Sequence, residues 1–366
     1  MGYRGLIGII SDLVRGSVGG AHKITGVFEF LAEFGRDCAG AITLGARADH
    51  KASSAQHGLI PIEMSKIHEA IEEKLSVAEV ISETNPGYLS LAGAQDKFPA
   101  VFKEGKFYLP KNGHPTTHIV KVPIWRRGVK ESVYNEYFCM ELARATGLEV
   151  PHCQVVAGDH PLFVIDRYDR RKDEMDGLVH RIHQQDLCQA QGYSSEHKYE
   201  SEGGPSIKQN YDFIITHTSP THRLASIERF LDWICFNLII GNNDSHSKNV
   251  SLLLYENKKY KLAPFYDLMS TAIYPRLKAG FSFRIGECDE FSKIGKNQVG
   301  QLENQLGLKR DVFKKRLQAT ADRVLAEYKG LSRHLREGMP NTKIPDRIIE
   351  LIDTRIRSLK FQNVLA

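Results

Sequence analysis

An α+β fold is predicted for this chain, with a smaller N-terminal lobe built on an antiparallel sheet and a larger, mostly helical C-terminal lobe. Three observations predict it. Short apolar runs bounded by Gly and Pro recur between Tyr88 and Asp166. One helical segment, Val133 to Thr146, interrupts them and closes at Gly147. Beyond Asp169 helical periodicity dominates. The 366 residues fit two lobes at roughly 100–200 residues per domain.

In chain order, Val27, Phe28, Leu31 and Phe34 have helical spacing and stop at Gly35, whereas residues 41–60 are polar and irregular. Residues 61–82 have helical periodicity on both sides of a charged patch at Glu72 to Lys74, so residues 1–85 read as a small, mostly helical, partial N-terminal subdomain. Residues 86–168 form the sheet lobe. Its strands are expected within Tyr88–Phe102, on either side of a Gly-Ala turn, and at Lys106–Leu109, His118–Val122, Gln154–Ala157 and Pro161–Asp166, with the 133–146 helix between His118–Val122 and Gln154–Ala157. In the C-terminal lobe, 169–366, Ser226 to Ile240 is apolar nearly all round, as in a buried helix. One strand pair, Val250–Tyr255 and Tyr260–Pro264, is expected to interrupt the helices.

Composition excludes several classes. Apolar residues make up 42% and charged residues 25%, which disfavours disordered and coiled-coil chains. The net charge of +5 suits a phosphorylated ligand but falls short of a dedicated nucleic-acid binder. Six cysteines without a C-x-x-C pair fit reduced thiols in the cytoplasm. No run approaches the ~18 apolar residues of a membrane span.

The most informative stretch is Gly241-Asn-Asn-Asp-Ser-His-Ser-Lys-Asn-Val250, between the buried helix and the hairpin. The spacing Asp244-x-x-x-x-Asn249, followed after the hairpin by Asp267, is that of a phosphoryl-transfer loop: an Asp to accept the hydroxyl proton, and an Asn and a second Asp to hold Mg²⁺. Taken alone, the Asn-Asp cluster also reads as an ordinary turn cap. His246 lies inside the loop, to position it or a phosphate. Such chemistry also requires a phosphate loop, a strand lysine and a helix carboxylate. Ser90-Leu-Ala-Gly-Ala-Gln-Asp-Lys97, Lys121 and Glu136 stand in that order, and the order is a stronger argument than any one of them. The chain has no Walker A sequence and no G-x-S-x-G.

With these residues in place the chain resembles the HipA-type serine/threonine protein kinase toxins of bacterial toxin–antitoxin systems, over roughly residues 27–366. The resemblance rests on Phe34 to Ala41, Ser90 to Lys97, Pro115 to Lys121, Asn135-Glu-Tyr137, Asp166 to Arg171, Gln185 to Gln189, Lys198 to Pro205, Asp244 to Asn249 and Pro264 to Asp267, in family order. It implies a two-lobed protein-kinase-like fold, ATP and Mg²⁺ as cofactors, and transfer of the γ-phosphate to a Ser or Thr hydroxyl.

Carried over by position, Asp244 is the catalytic base, with Lys121, His246 and Lys248 around the phosphates. Asn249 and Asp267 are the metal ligands. Ser90, Ala92, Gly93, Ala94, Gln95 and Lys97 form the phosphate loop and Glu136 holds the lysine. Asp166 and Tyr168 meet adenine, and Asp169 lies near the ribose. Ser90 is the implied autophosphorylation site, self-inhibitory because a dianion there competes with ATP for the same N–H groups.

The resemblance further implies an aminoacyl-tRNA synthetase as substrate, with translation and growth arrest as the outcome. It also implies a HipB-like helix-turn-helix antitoxin through which DNA is contacted indirectly. The chain is similar to short forms that lack the first N-terminal subdomain, as in three-gene HipBST systems, where a small HipS-like partner supplies it. Tyr88 stands where some short relatives carry a second serine. Two other classes remain: a lipid or small-molecule kinase, and a nucleotide-binding subunit of a DNA-bound antitoxin complex.

Overall fold

A computed structural model describes residues 39–41, 58–84, 95–111, 114–175, 177–194, 196–255, 259–339 and 342–366. The expected helix over Val27 to Phe34 and most of the phosphate loop lie outside the described residues. The chain divides into two units. Of the described residues, the first takes those up to Trp125, Pro151–Gln185 and Leu253–Tyr255. The second takes Arg126–Val150, Asp186–Leu252 and those of Glu256–Ala366.

The first unit is a twisted sheet covered by two helices. Its strands are β1 (Leu59–Ile62), β2 (Lys97–Lys103), β3 (Lys106–Pro110), β4 (His118–Lys121), β5 (Cys153–Val156) and β6 (Leu162–Asp166), in the order β1-β3-β2-β4-β6-β5 and antiparallel throughout. Period-two alternation sends Phe98 and Ala100, Phe107 and Leu109, Val120 and Val122, and Leu162 and Val164 into one core. The helices α1 (Met64–Glu72) and α2 (Val77–Thr84) close that core with Ile67, Ala70 and Ile71, and with Val77, Ala78 and Ile81. Pro99 is tolerated inside β2 because β4 pairs with Lys97–Ala100 whereas β3 pairs only with Val101–Lys103, so no β3 ladder bond is demanded of it.

Two sequence expectations are corrected here. Leu59–Ile62, expected to be irregular up to residue 60 and helical from 61, form β1 instead and pair with β3 at the sheet edge. Four residues of alternation are too short to register against the helical pattern that follows. Beyond Asp169 a second strand pair forms, β7 (Arg170–Lys172) with β8 (Val179–Arg181), in which Val179 is the one apolar residue, too little for an alternating signal.

In the second unit, α3 (Ser132–Ala145) is buried along most of its length. The strand β9 (Gln184–Asp186) begins in the first unit and ends at Asp186 in the second, where the short α4 (Leu187–Gln191) starts on a capping box between Asp186 and Gln189. Then come α5 (Ile207–His217) and α6 (Pro220–Ile240), which starts on a favourable Pro and ends on Gly241. Trp233 of α6 stacks with Phe230 and Phe265 and meets Phe283 edge-on, an aromatic centre fully removed from water. The hairpin β10 (Ser251–Tyr255) and β11 (Lys259–Leu262) follows the candidate loop. The last helices are α7 (Lys296–Gln305), α8 (Val312–Gly338) and α9 (Ile344–Phe361); α8 and α9 pack on α6. Among the described residues no helix is long and apolar enough to cross a membrane.

Candidate active site

The loop 241–250 begins where α6 must stop. Gly241 takes the left-handed conformation, φ +73°, and a Cβ there would meet Leu351 Cδ2 at 2.7 Å and Ala272 Cβ at 2.9 Å. From that point the asparagines and serines of the loop are spent on holding it. Asn242 donates to Asn237 Oδ1 at 2.8 Å and to the Asp267 carbonyl at 3.2 Å. The Asn243 backbone N–H donates to Thr271 Oγ1 at 2.7 Å, and its amide to the carbonyls of Lys278 and Ala279. Ser282 donates to the Asn243 carbonyl at 2.6 Å, and Asn210 to Ser247 Oγ at 2.8 Å. Such a loop has no ladder to give it stiffness, and these side chains replace one.

Asp244 is the exception. Its side chain is 50% exposed while Asn242, Asn243, Ser245, His246 and Ser247 around it are buried. Its Oδ1 accepts a hydrogen bond from the Tyr199 hydroxyl. Burial together with this carboxylate drives the Tyr199 phenol far above its usual pKa, so it stays a donor. His246 Nε2 lies 3.8 Å from the same Oδ1, too long for a hydrogen bond. Burial holds the His246 pKa down at about 4, and Lys198 and Lys248 act in the same sense against the pull of Asp244 and Asp267. The imidazole is therefore neutral at pH 7, and the two side chains do not form an ion pair.

Asn249 and Asp267 stand on either side of the hairpin and are brought to one region. Asn249 donates from Nδ2 to the Asp244 carbonyl at 3.0 Å, which leaves its Oδ1 as the acceptor end. The strand exit that carries Asp267 is fastened residue by residue. Phe265 enters the aromatic centre, and Tyr266 donates to the Lys248 carbonyl at 2.8 Å. Asp267 then adopts φ +54°, a left-handed conformation that Asp tolerates better than most residues. Both Asp244 and Asp267 act electrostatically on His246, which ties the two carboxylates to one neighbourhood. An amide oxygen and a carboxylate are hard oxygen donors of the kind Mg²⁺ prefers, so the residues fit that ion.

The remaining candidates divide between the units. Lys121 and Lys97 are cross-strand partners on β4 and β2, both buried, and Lys121 Nζ lies 5.9 Å from the Phe163 ring centre. Gln95 donates to the Val122 carbonyl at 2.7 Å, and Asp96 accepts from the Val77 N–H at 2.6 Å, so the C-terminal end of the candidate phosphate loop is pinned to β4 and α2. Ser90, Ala92, Gly93 and Ala94 lie outside the described residues. Asp166 sits beside His118 Nε2 at 3.2 Å. His118 Nδ1 accepts from the Phe102 N–H, so the ring's proton is on Nε2, facing the carboxylate. Tyr168 donates to Gln184 Oε1.

Asp169 is engaged on both oxygens by Arg167, with Arg170 and the Gly40 N–H on Oδ2. Burial opposes its charge, but the two guanidiniums outweigh that and hold its carboxyl below the usual range. Glu136 belongs to the second unit, buried on α3 beside Asn135, which exchanges two hydrogen bonds with Ser270.

Sequence reasoning missed three residues. Tyr199 contacts Asp244 across 45 positions, Thr271 accepts from Asn243 across 28, and Arg355 donates to Leu238 across 117. The run Lys198 to Pro205 signalled the first, but no spacing rule pairs it with the loop.

Comparisons with known proteins bear on the fold and the family. The chain is 46% identical over 201 residues to the putative kinase Y4mE of Sinorhizobium fredii, covering 54% of this chain and 46% of that protein, so it spans less than half of that relative. It is 28% identical over 306 residues to the serine/threonine-protein kinase toxin HipA of Shewanella oneidensis, covering 81% of this chain and 69% of the relative. A solved structure of the Shewanella oneidensis MR-1 toxin–antitoxin system HipA, HipB and its operator DNA complex matches with a TM-score of 0.79 at 22% identity, over 99% of this chain and 86% of that one, and shows the same fold. Residues 89–328 match the family model of the HipA-like C-terminal domain, and with two thirds of its length inside that match the chain belongs to this family.

Proposed function

We propose that the chain is an ATP- and Mg²⁺-dependent serine/threonine protein kinase of the toxin type. The observation that carries this reading is the half-exposed Asp244 carboxylate on a loop whose asparagines and serines are buried and hydrogen-bonded, with the oxygen donors Asn249 and Asp267 fastened beside it. In this reading Asp244 accepts the proton of a Ser or Thr hydroxyl as that oxygen attacks the γ-phosphorus and ADP departs. Asn249 and Asp267 hold Mg²⁺, which when bound neutralises charge on the phosphate oxygens. Lys121, with Glu136 as its partner, and Lys97, Gln95 and Lys248 serve the phosphates. Asp166 and Tyr168 serve the adenine, and Asp169 orders the chain beside them. His246, held neutral and packed edge-on against Tyr199, stands inside the loop without adding a positive charge to trap the phosphate.

The family and the relatives' names support toxin activity restrained by a HipB-like antitoxin, with DNA contacted through that antitoxin. An aminoacyl-tRNA synthetase as substrate, a HipS-like second partner and self-inhibition by phosphorylation of Ser90 rest on the resemblance. The test is intact-mass spectrometry of the chain and its Asp244→Asn variant, each with and without Mg-ATP, followed by localisation of any phosphate. Phosphate added to a serine of the parent chain and absent from the variant is expected. Equal incorporation in both, or none in the parent, overturns the reading.

A further inference from the structure

We infer that Tyr199 is a positioning residue for the Asp244 carboxylate, fixing Oδ1 so that Oδ2 is the oxygen presented to an acceptor hydroxyl. The inference rests on Asp244 being the base. Oδ1 is occupied: the Tyr199 hydroxyl donates to it and His246 Nε2 lies 3.8 Å away. Among the described residues no donor stands on Oδ2, and half of the side chain is open to solvent. An exposed aspartate otherwise samples several rotamers, and a base turned away from the hydroxyl is idle.

The tyrosine is itself built in. Its ring meets the His246 ring edge-on at 5.2 Å, and the ammonium groups of Lys198 and Lys278 each lie 4.8 Å from its centre. Its carbonyl accepts from the N–H groups of Glu202 and Gly204 in a tight turn. A Cβ at Gly204 would come within 2.6 Å of the His197 carbonyl oxygen and 2.8 Å of the Tyr199 carbonyl oxygen, so the turn closes only on glycine. Glu200 extends the anchorage by accepting from the Arg284 N–H at 2.8 Å. A hydroxyl held by such a turn is suited to orienting a neighbour.

The test compares the full chain with Tyr199→Phe and Asp244→Asn in two ways. The first is phosphate incorporation from Mg-ATP, with the chain itself as acceptor, as a function of ATP concentration. Tyr199→Phe is expected to lower the maximal rate about 10- to 100-fold, as loss of base alignment does, with the half-saturating ATP concentration changed less than twofold. An unchanged rate, or a loss seen only in ATP affinity, overturns the inference.

The second is the ¹³Cζ resonance of labelled tyrosine, assigned to Tyr199 by its disappearance in Tyr199→Phe. It is expected to move in Asp244→Asn, where a neutral amide replaces the charged acceptor. A resonance that stays in place shows that the contact is absent and overturns the inference even if the chain transfers no phosphate. Loss of all incorporation by the parent chain with a responsive resonance overturns the kinase reading and leaves the tyrosine–aspartate clamp standing.

Discussion

Arg355, on α9, donates from Nη1 to the backbone carbonyl of Leu238 at 2.6 Å, one turn before the candidate catalytic loop begins. The guanidinium is buried, lies 4.0 Å from the centre of the Phe291 ring and reaches Asn243 Oδ1 at 3.5 Å. Burial depresses its pKa to about 10, which still leaves it charged at neutral pH. A cation from the last helix thus caps the carbonyl end of α6 and touches the loop, complementing the negative end of the helix dipole.

Arg355→Met keeps the stem and removes the head, leaving the Leu238 carbonyl without its charged donor. Loss of a charge-assisted bond in a buried place is expected to destabilise the second unit by about 2–3 kcal/mol, a fall in Tm of roughly 5–10 °C. Thermal melting of the full chain checks this, and an unchanged Tm would assign Arg355 no share in holding the loop.

His246 gives a pH dependence of defined sign. Its folded pKa of about 4 lies below the ordinary value of 6.5, so between these values the unfolded chain binds the proton and the folded chain does not. The contribution is therefore intact above pH 6.5 and is lost as pH falls toward 4, by about 2–3 kcal/mol. His246→Asn removes this dependence. The difference in stability between parent and variant, measured by denaturation at pH 7, 5.5 and 4.5, is expected to shift in the variant's favour with acid; a constant difference would contradict the assignment.

Asp169 compensates two guanidiniums buried with it. Asp169→Asn leaves Arg167 and Arg170 without their counter-charge, a change expected to destabilise by about 3–5 kcal/mol. Because its carboxyl is held below the usual range, the stabilisation is present at neutral pH and is lost as the solution is acidified through the folded value. Urea midpoints for parent and variant at pH 7 measure the first effect. A midpoint unchanged by the substitution would mean that the cluster contributes nothing net.

Asp267 separates metal binding from backbone strain. Asn tolerates the left-handed conformation as Asp does, so Asp267→Asn is expected to keep the melting temperature while weakening Mg²⁺-dependent ATP binding at least about tenfold. Asp267→Val is expected to lose both, because a β-branched residue at φ +54° is strained. Calorimetric titration with ATP, with and without Mg²⁺, distinguishes the two. Equal affinity of Asp267→Asn and the parent for Mg-ATP would remove Asp267 from the metal site.

What was legible in the sequence followed from periodicity and local punctuation. The alternation of Phe98 with Ala100 and of Val120 with Val122, the helix closing at Gly147, the buried α6 ending at Gly241 and the hairpin after Asn249 are all short-range patterns, and each stands where they put it. The spacing of Asp244, Asn249 and Asp267 was equally readable, because a loop and the hairpin behind it return the chain to its start.

Only the tertiary structure decided the rest. The four residues of β1 took their state from the edge of β3, and β7 and β8 paired through their backbones with Val179 as their one apolar residue. Tyr199 on Asp244, Thr271 on Asn243 and Arg355 on Leu238 are long-range polar contacts made one hydrogen bond at a time. Apolar burial is repetitive and leaves a period in the chain, whereas a single buried polar partner is chosen by geometry that exists only after the chain has folded.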